Sequence, residues 1–229
     1  MPAEDPFEPL RRQMVAEIAA ETGLLASQLG RASLAERVIE VMGRVPRHTF
    51  VPGEVQPFAY LNSPLPIGHG KTISEPFIVA LMTDLLEVHP DSVVLEIGTG
   101  FGYQAAILAE LAGQVYSVEI IEAIAAQGKK RLTGLGYKNV TLRVGNGALG
   151  WAEHAPYDRI MVTAAPDLIP ASLLQQLKPG GRMVLPTGIP DRQQLMLVEK
   201  SAQGRISTRE ILAVRFSELE EPTGLAGRG

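Results

Sequence analysis

The segment of this chain that most directly implies chemistry is Glu96-Ile97-Gly98-Thr99-Gly100-Phe101-Gly102. It follows a short apolar run at 92–97 and opens a helical pattern at 104–111, so its three glycines fall in a strand-to-helix turn. Such a turn presents backbone N–H groups at a helix N-terminus, and residues without side chains let a ligand come close to the main chain. The spacing is GxGxG, not the GxGxxG of dinucleotide phosphate binding, and no Tyr-Lys or His-Asp pair is evident. Both points argue against a nicotinamide-dependent oxidoreductase. About 20 residues further on, a second apolar run ends at Glu119, where an acid can accept hydrogen bonds from both hydroxyls of a ribose.

Other chemistries are excluded by what the sequence lacks. It has no cysteine, which removes disulfides, thiolate metal sites and cysteine nucleophiles together. His48, His69, His89 and His154 are scattered without metal-ligand spacing, so no metal is expected. His69 reads as a solvent-facing loop residue and Trp151 as a packing residue. With 21 Lys+Arg against 25 Asp+Glu the net charge is −4, which carries no global signature for nucleic acid or an anionic membrane. No run reaches the roughly 18 apolar residues of a membrane span. The start, MPAEDPFEPLRRQ, is acidic and proline-rich, unlike a signal peptide. A cytoplasmic protein is expected.

The elements that must position the glycine turn follow from periodicity. Helical patterns run at 10–22 and 34–45, with Gly30 and Ser33 between them as a break and an N-cap. Residues 46–73 hold five prolines and three glycines and predict an extended loop region with no long regular element. A helix is predicted from Ser74, with Ser74 as its N-cap. Beyond residue 92, short apolar runs at 92–97, 114–119, 139–144, 157–164 and 182–186 alternate with helical patterns at 104–111, 122–135 and 169–177. Runs at 194–200 and 206–214, joined at Gln203-Gly204, read as an antiparallel edge hairpin. This alternation predicts an α/β fold, a mostly parallel sheet with helices on both faces and an N-terminal helical extension. One domain is expected over 1–220: helices and a loop at 1–75, a Rossmann-like core with its hairpin at 76–220, and a frayed tail at 221–229.

A GxGxG turn led by an acid is the S-adenosylmethionine loop of class I methyltransferases, whose ligand has a cationic sulfonium and no pyrophosphate. Over about residues 10–216 the chain resembles one family of them, the protein-L-isoaspartate (D-aspartate) O-methyltransferases. The carriers are RVPRHTFVP from Arg44, AYLNSPLPIGHGKTISEP from Ala59, VLEIGTGFGYQAAILA from Val94, VYSVE from Val115, APYDRIMVTAAP from Ala155 and LKPGGRMVLPTG from Leu177. The glycine turn is shared widely, whereas PLPIG…TIS and DRIMVTAAP are specific.

The resemblance implies S-adenosyl-L-methionine as methyl donor, with S-adenosyl-L-homocysteine as product. The acceptor would be the free carboxylate of L-isoaspartyl, and in part D-aspartyl, residues in damaged proteins or peptides. The ester then closes to a succinimide without the enzyme, and hydrolysis restores some normal aspartate. The enzyme is expected to act as a monomer, without nucleic acid or membrane. Ser74 matches the family's acceptor-positioning serine. Cofactor contacts map to Thr72, Ile73, Glu96, Gly98, Thr99, Gly100, Gly102, Tyr103, Glu119, Ile120, Asn146 and Gly147. Substrate contacts map to Ile67, Gly68, Lys71, Thr72, Ser74, Phe216 and Ser217. The chemistry asks little of the protein, because a carboxylate with pKa around 3.5–4 is already ionised at pH 7 and needs no general base.

The chain departs from the family pattern in three places. Lys71 stands where Gln is common, with Glu75 nearby in place of Gln or Ala. Gly145-Asn146-Gly147 replaces Gly-Asp-Gly beside the adenine, where the Asn146 oxygen can still accept from an adenine amino group. Arg215-Phe216-Ser217-Glu218-Leu219 replaces RFVPL at the peptide groove. These motivate one alternative, a same-fold methyltransferase acting on an aspartate of a specific peptide; a non-catalytic cofactor-binding interaction protein is a second.

Overall fold

A computed structural model describes residues 5–220. The chain opens with α1 (Glu8–Leu24), whose inner face is Arg11, Met14, Ile18 and Thr22 at steps of three and four residues. The short α2 (Ala26–Leu29) ends on Gly30, which is left-handed with φ 68°. α3 (Glu36–Arg44) buries Val38, Val41 and Met42. Its N-terminus differs from the expected one. Ser33 is not the cap, because the first residue before the helix is Ala35, whose N–H donates to Asp84 Oδ1 at 2.7 Å. The same carboxylate also pairs with Arg31. A distant aspartate thus does the work a local serine could have done.

The proline-rich stretch folds into two short 3-10 segments, Arg47–Phe50 and Gly53–Phe58, followed by a small hairpin of β1 (Leu65–Gly68) and β2 (Lys71–Ile73). His69, at the hairpin bend, is exposed with φ 52°. α4 (Pro76–Leu86) is buried along its whole length. Ser74 stands one residue outside its cap position, Glu75. The helix start is instead held by Asn62, whose Oδ1 accepts the Phe77 N–H at 2.9 Å.

The remaining strands are β3 (Val93–Ile97), β4 (Gln114–Glu119), β5 (Val140–Val144), β6 (Tyr157–Val162), β7 (Leu177–Thr187), β8 (Gln193–Lys200) and β9 (Ile206–Val214). The helices between them are α5 (Tyr103–Ala109), α6 (Glu122–Gly134) and α7 (Ala171–Gln176). The sheet order is β5-β4-β3-β6-β7-β8-β9. The first five strands are parallel, and β8 and β9 add antiparallel to the edge. β7 starts five residues before the expected position, and Lys178–Gly181 lie where its pairing with β6 changes register. Apolar cores cover both faces. One joins α1, α3, α4 and α5 around Phe77, Leu81 and Ile107; the other gathers Trp151, Tyr157, Leu173 and Met183. Trp151 packs there as expected, edge-on to Tyr116 with centroids 5.5 Å apart.

The strand order reverses at β3: the chain moves to β4 on one side and later returns to β6 on the other. Ligands of open α/β sheets bind at the carboxyl ends of the strands flanking such a switch. Here those ends carry Gly98, Glu119 and Thr163.

Candidate active site

Gly98, Gly100 and Gly102 all have positive φ, at 94°, 56° and 99°. At Gly98 the reason is steric as well as torsional, since a Cβ there would lie 2.4 Å from Thr163 Oγ1. That hydroxyl donates to the Gly98 and Ile97 carbonyls, at 2.7 and 3.0 Å. The turn is also held from below and from the side. Glu119 Oε2 accepts the Gly100 N–H at 2.9 Å, and its Oε1 accepts the Ile121 N–H at 3.1 Å. A carboxylate offers about four lone-pair sites, so Glu119 keeps capacity for a ligand's hydroxyls.

Around this turn lie three connected spaces. A cleft of about 590 Å³ runs over the ends of β3 and β4 and is lined by Ile67, Lys71, Thr72, Ile97, Gly98, Gly100, Val118, Glu119, Ile120 and Gly147, with residues 217–220 opposite. A groove of about 1170 Å³ lies on the other side, between α1, the start of α4 and the end of β9. Its walls include Glu21, Ser74, Glu75, Phe77, Leu212, Phe216 and Ser217. Between them a smaller chamber of about 400 Å³ is bounded by Phe50, Ile73, Ser74, Thr99, Tyr103 and Gln104. Thr72 and Thr163 line all three, so the spaces meet at these two residues.

The cleft fits an S-adenosylmethionine-like ligand better than a phosphorylated one. Its charged lining is Glu119, Glu218 and Glu220 against the single cation Lys71. Lys71 is itself committed, with Nζ 2.5 Å from Glu220 Oε1. An acidic wall disfavours pyrophosphate and suits a cation. Apolar Ile97, Val118 and Ile124 provide surface for a ring. At Gly147 a Cβ would sit 2.3 Å from Ile97 Cγ2, so glycine lets the turn after β5 pack against the end of β3 here.

Most residues expected in the site are brought together there. Ile67, Lys71, Thr72, Ile73, Ser74, Gly98, Thr99, Gly100, Tyr103, Glu119, Ile120, Gly147, Phe216 and Ser217 each line at least one of the three spaces. Gly68, Glu96, Gly102 and Asn146 line none of them. Gly68 is out at the exposed hairpin bend. Gly102 is buried behind the turn, with Leu132 against it. Asn146 Oδ1 already accepts the Ala148 N–H at 2.9 Å, capping the short turn after β5.

Glu96 is wholly buried beneath the turn. Ser117 Oγ donates to its Oε2 at 2.5 Å, and Thr99 Oγ1 lies 2.6 Å from Ser117 Oγ. Burial pushes the Glu96 carboxyl up to about 8, Glu119 adds to this, and the Ser117 hydrogen bond opposes it. It is an internal support of the turn and does not form part of its wall.

Ser74 is not a cap. Among the described residues its hydroxyl makes no hydrogen bond, while it borders both the groove and the junction chamber. The segment after β9 is fastened and not frayed. Buried Gln193 accepts the Phe216 N–H at 2.7 Å and donates to its carbonyl at 3.1 Å. The Ala165 N–H donates to Ser217 O and the Leu219 N–H to Ala165 O, both at 2.8 Å. Residues 221–229, expected as a tail, lie outside the described residues. Thr163 and Gln104 were not singled out by sequence reasoning. The signal for Thr163 was its place at the end of an apolar strand beside the switch point.

Comparison with known proteins bears on the fold and the family. The model of the family "Protein-L-isoaspartate(D-aspartate) O-methyltransferase (PCMT)" matches residues 23–223. A Polaromonas protein-L-isoaspartate O-methyltransferase 1 is 60% identical over 218 residues, covering 95% of this chain and 92% of its own. The Cupriavidus necator protein-L-isoaspartate O-methyltransferase 1 is 56% identical over 218 residues, 95% of this chain and 84% of its own. A solved protein-L-isoaspartate O-methyltransferase superposes with a TM-score of 0.81 at 27% identity, over 93% of this chain and 67% of that one. A Plasmodium falciparum structure solved with S-adenosyl-L-homocysteine shares the fold, with a TM-score of 0.77 at 20% identity over 95% of this chain and 99% of that one. The chain belongs to the protein-L-isoaspartate (D-aspartate) O-methyltransferase family.

Proposed function

We propose that this protein is a repair enzyme that methylates the free carboxylate of L-isoaspartyl, and in part D-aspartyl, residues in damaged proteins and peptides, with S-adenosyl-L-methionine as donor. The observation that carries the reading is the meeting of an acidic cleft and a peptide-sized groove at Thr72 and Thr163, with the unbonded Ser74 hydroxyl between them.

When bound, S-adenosylmethionine supplies a methyl group already activated on a sulfonium. The protein's share is placement. Gly98, Gly100 and Gly147 give the donor room against the backbone, Glu119 offers oxygens to its ribose, and Thr72, Ile73, Thr99, Tyr103 and Ile120 complete its walls. The Ser74 hydroxyl, free to donate, holds the acceptor carboxylate at the junction. Phe216 and Ser217 shape the groove for the flanking peptide. Burial among Phe50, Ile67, Ile73 and Tyr103 keeps water from solvating the carboxylate there. Alignment of this kind can supply about 7–11 kcal/mol of barrier lowering, enough for a reaction that needs no base. The same reading has the enzyme acting as a cytoplasmic monomer.

The deciding experiment is methyl transfer to a peptide pair identical except for isoaspartyl or aspartyl linkage, with S-adenosylhomocysteine affinity measured by calorimetry. Transfer to the isoaspartyl member is expected. Transfer only to the aspartyl member, or tight binding with no transfer, would replace this reading by another.

A further inference from the structure

Arg47 has no exposed surface and, among the described residues, no carboxylate within ion-pairing distance. Its Nε donates to Ala59 O at 2.7 Å and its Nη2 to Ser74 O at 2.6 Å. The guanidinium lies 4.8 Å from the centroid of the Tyr103 ring. Nη1 has no hydrogen-bond partner among the described residues. A buried cation balanced by two carbonyl dipoles and a ring face, with the Glu75 carboxylate acting on it from beyond ion-pairing distance, is an expensive way to fill space, because an apolar residue of similar volume avoids the desolvation cost.

What it connects accounts for its presence. Ser74 borders the acceptor groove and the junction chamber; Tyr103 is the first residue of α5, directly after the glycine turn, and borders the same chamber. One planar side chain therefore ties the acceptor side of the site to the donor side. The rigid fork of an arginine can hold two carbonyls at fixed angles while its face lies on an aromatic ring, which a lysine cannot do.

We propose that Arg47 is a positioning residue for methyl transfer: it fixes Ser74 relative to Tyr103 and the glycine turn, and its charge behind the junction favours an anionic acceptor there. The proposal rests on the carboxylate-methylation reading above. Burial lowers the guanidinium to about 10, with Tyr103, Tyr60 and Glu75 opposing the shift, so the charge persists across neutral pH. A lysine in the same place starts from about 10.4 and, lowered by the same burial, loses its charge at lower pH than the arginine does.

The test uses Arg47→Met and Arg47→Lys in the full chain, with thermal melting, S-adenosylhomocysteine affinity, and kcat and KM for the isoaspartyl peptide from pH 6 to 9. Folded Arg47→Met is expected to lose at least tenfold in kcat while cofactor affinity changes by less than threefold. Arg47→Lys is expected to recover part of kcat at pH 6 and to lose it as pH rises, where the parent shows no such fall. If the methionine variant fails to fold, the lysine profile decides. Parental kcat in either variant, or kcat and cofactor affinity falling in parallel, overturns the proposal. A parent protein that does not methylate the isoaspartyl peptide would instead sink the functional reading itself.

Discussion

Glu119 grips the turn it faces: its Oε2 accepts the Gly100 N–H at 2.9 Å while the same carboxylate lines the cofactor cleft. One group thus shapes the glycine turn and, on the proposed reading, presents oxygens to the ligand the turn would receive. Hydrogen bonds to charged groups contribute about 1.5–3 kcal/mol each. Glu119→Ala should therefore weaken S-adenosylhomocysteine binding by roughly tenfold to a hundredfold, by the same scale. Glu119→Gln should fall between, because one of its terminal atoms becomes a donor facing a backbone N–H. Calorimetric titration of the three proteins checks the order.

Gly98 meets two separate constraints, a φ of 94° and the Thr163 hydroxyl 2.4 Å from any added Cβ. Gly98→Ala should abolish measurable cofactor binding. Adding Thr163→Ala removes the collision but leaves the torsional strain, about 1–2 kcal/mol for a side chain in that region. The double variant should recover only part of the affinity. Full recovery would show that the collision alone mattered.

Ser74→Ala separates a structural serine from an acceptor-positioning one. A helix N-cap lost to alanine costs typically about 1 kcal/mol. Ser74 lies outside the cap position, so the melting temperature should be unchanged. Turnover should fall tenfold or more, with cofactor affinity preserved. A drop in stability without loss of turnover would reverse the assignment.

Glu96 gives the protein a pH-dependent stability. Its carboxyl titrates near 4.5 when unfolded and about 8 when folded, raised first by burial. The folded state therefore holds the proton longer. This contribution is complete below about 4.5 and is lost as pH rises through about 8. Glu96→Gln keeps an acceptor for the Ser117 hydroxyl and removes the titration. Melting curves should show the parent losing stability relative to this variant between pH 5 and 9, and a constant gap across that range would refute the assignment.

The β-α alternation was legible because buried parallel strands are continuous apolar runs and the helices between them keep a regular stripe. The glycine turn and Glu119 were legible because backbone demands leave a mark on residue type. Contacts made over long sequence separations left none. Asp84 caps α3 from across the core, so Ser33, well spaced as a local cap, is bypassed. Asn62 takes the same part for α4 and releases Ser74. Asn146 was matched to an adenine contact by motif position; its oxygen also accepts a neighbouring N–H, a contact the motif did not announce. Thr163 and Arg47 act through the carbonyls of residues far along the chain, and no local pattern announces such a pairing.

The cleft and the groove meet at Thr72, Thr163 and Ser217, and beyond that contact each has a lining of its own. Two doors of this kind set an order of traffic. A peptide can arrive, take its methyl group and depart while the spent nucleoside still sits behind the Lys71–Glu220 pair. By-product left in the cleft would compete with fresh donor without competing with damaged protein. Repair would accordingly respond to the ratio of donor to by-product as well as to the abundance of damage.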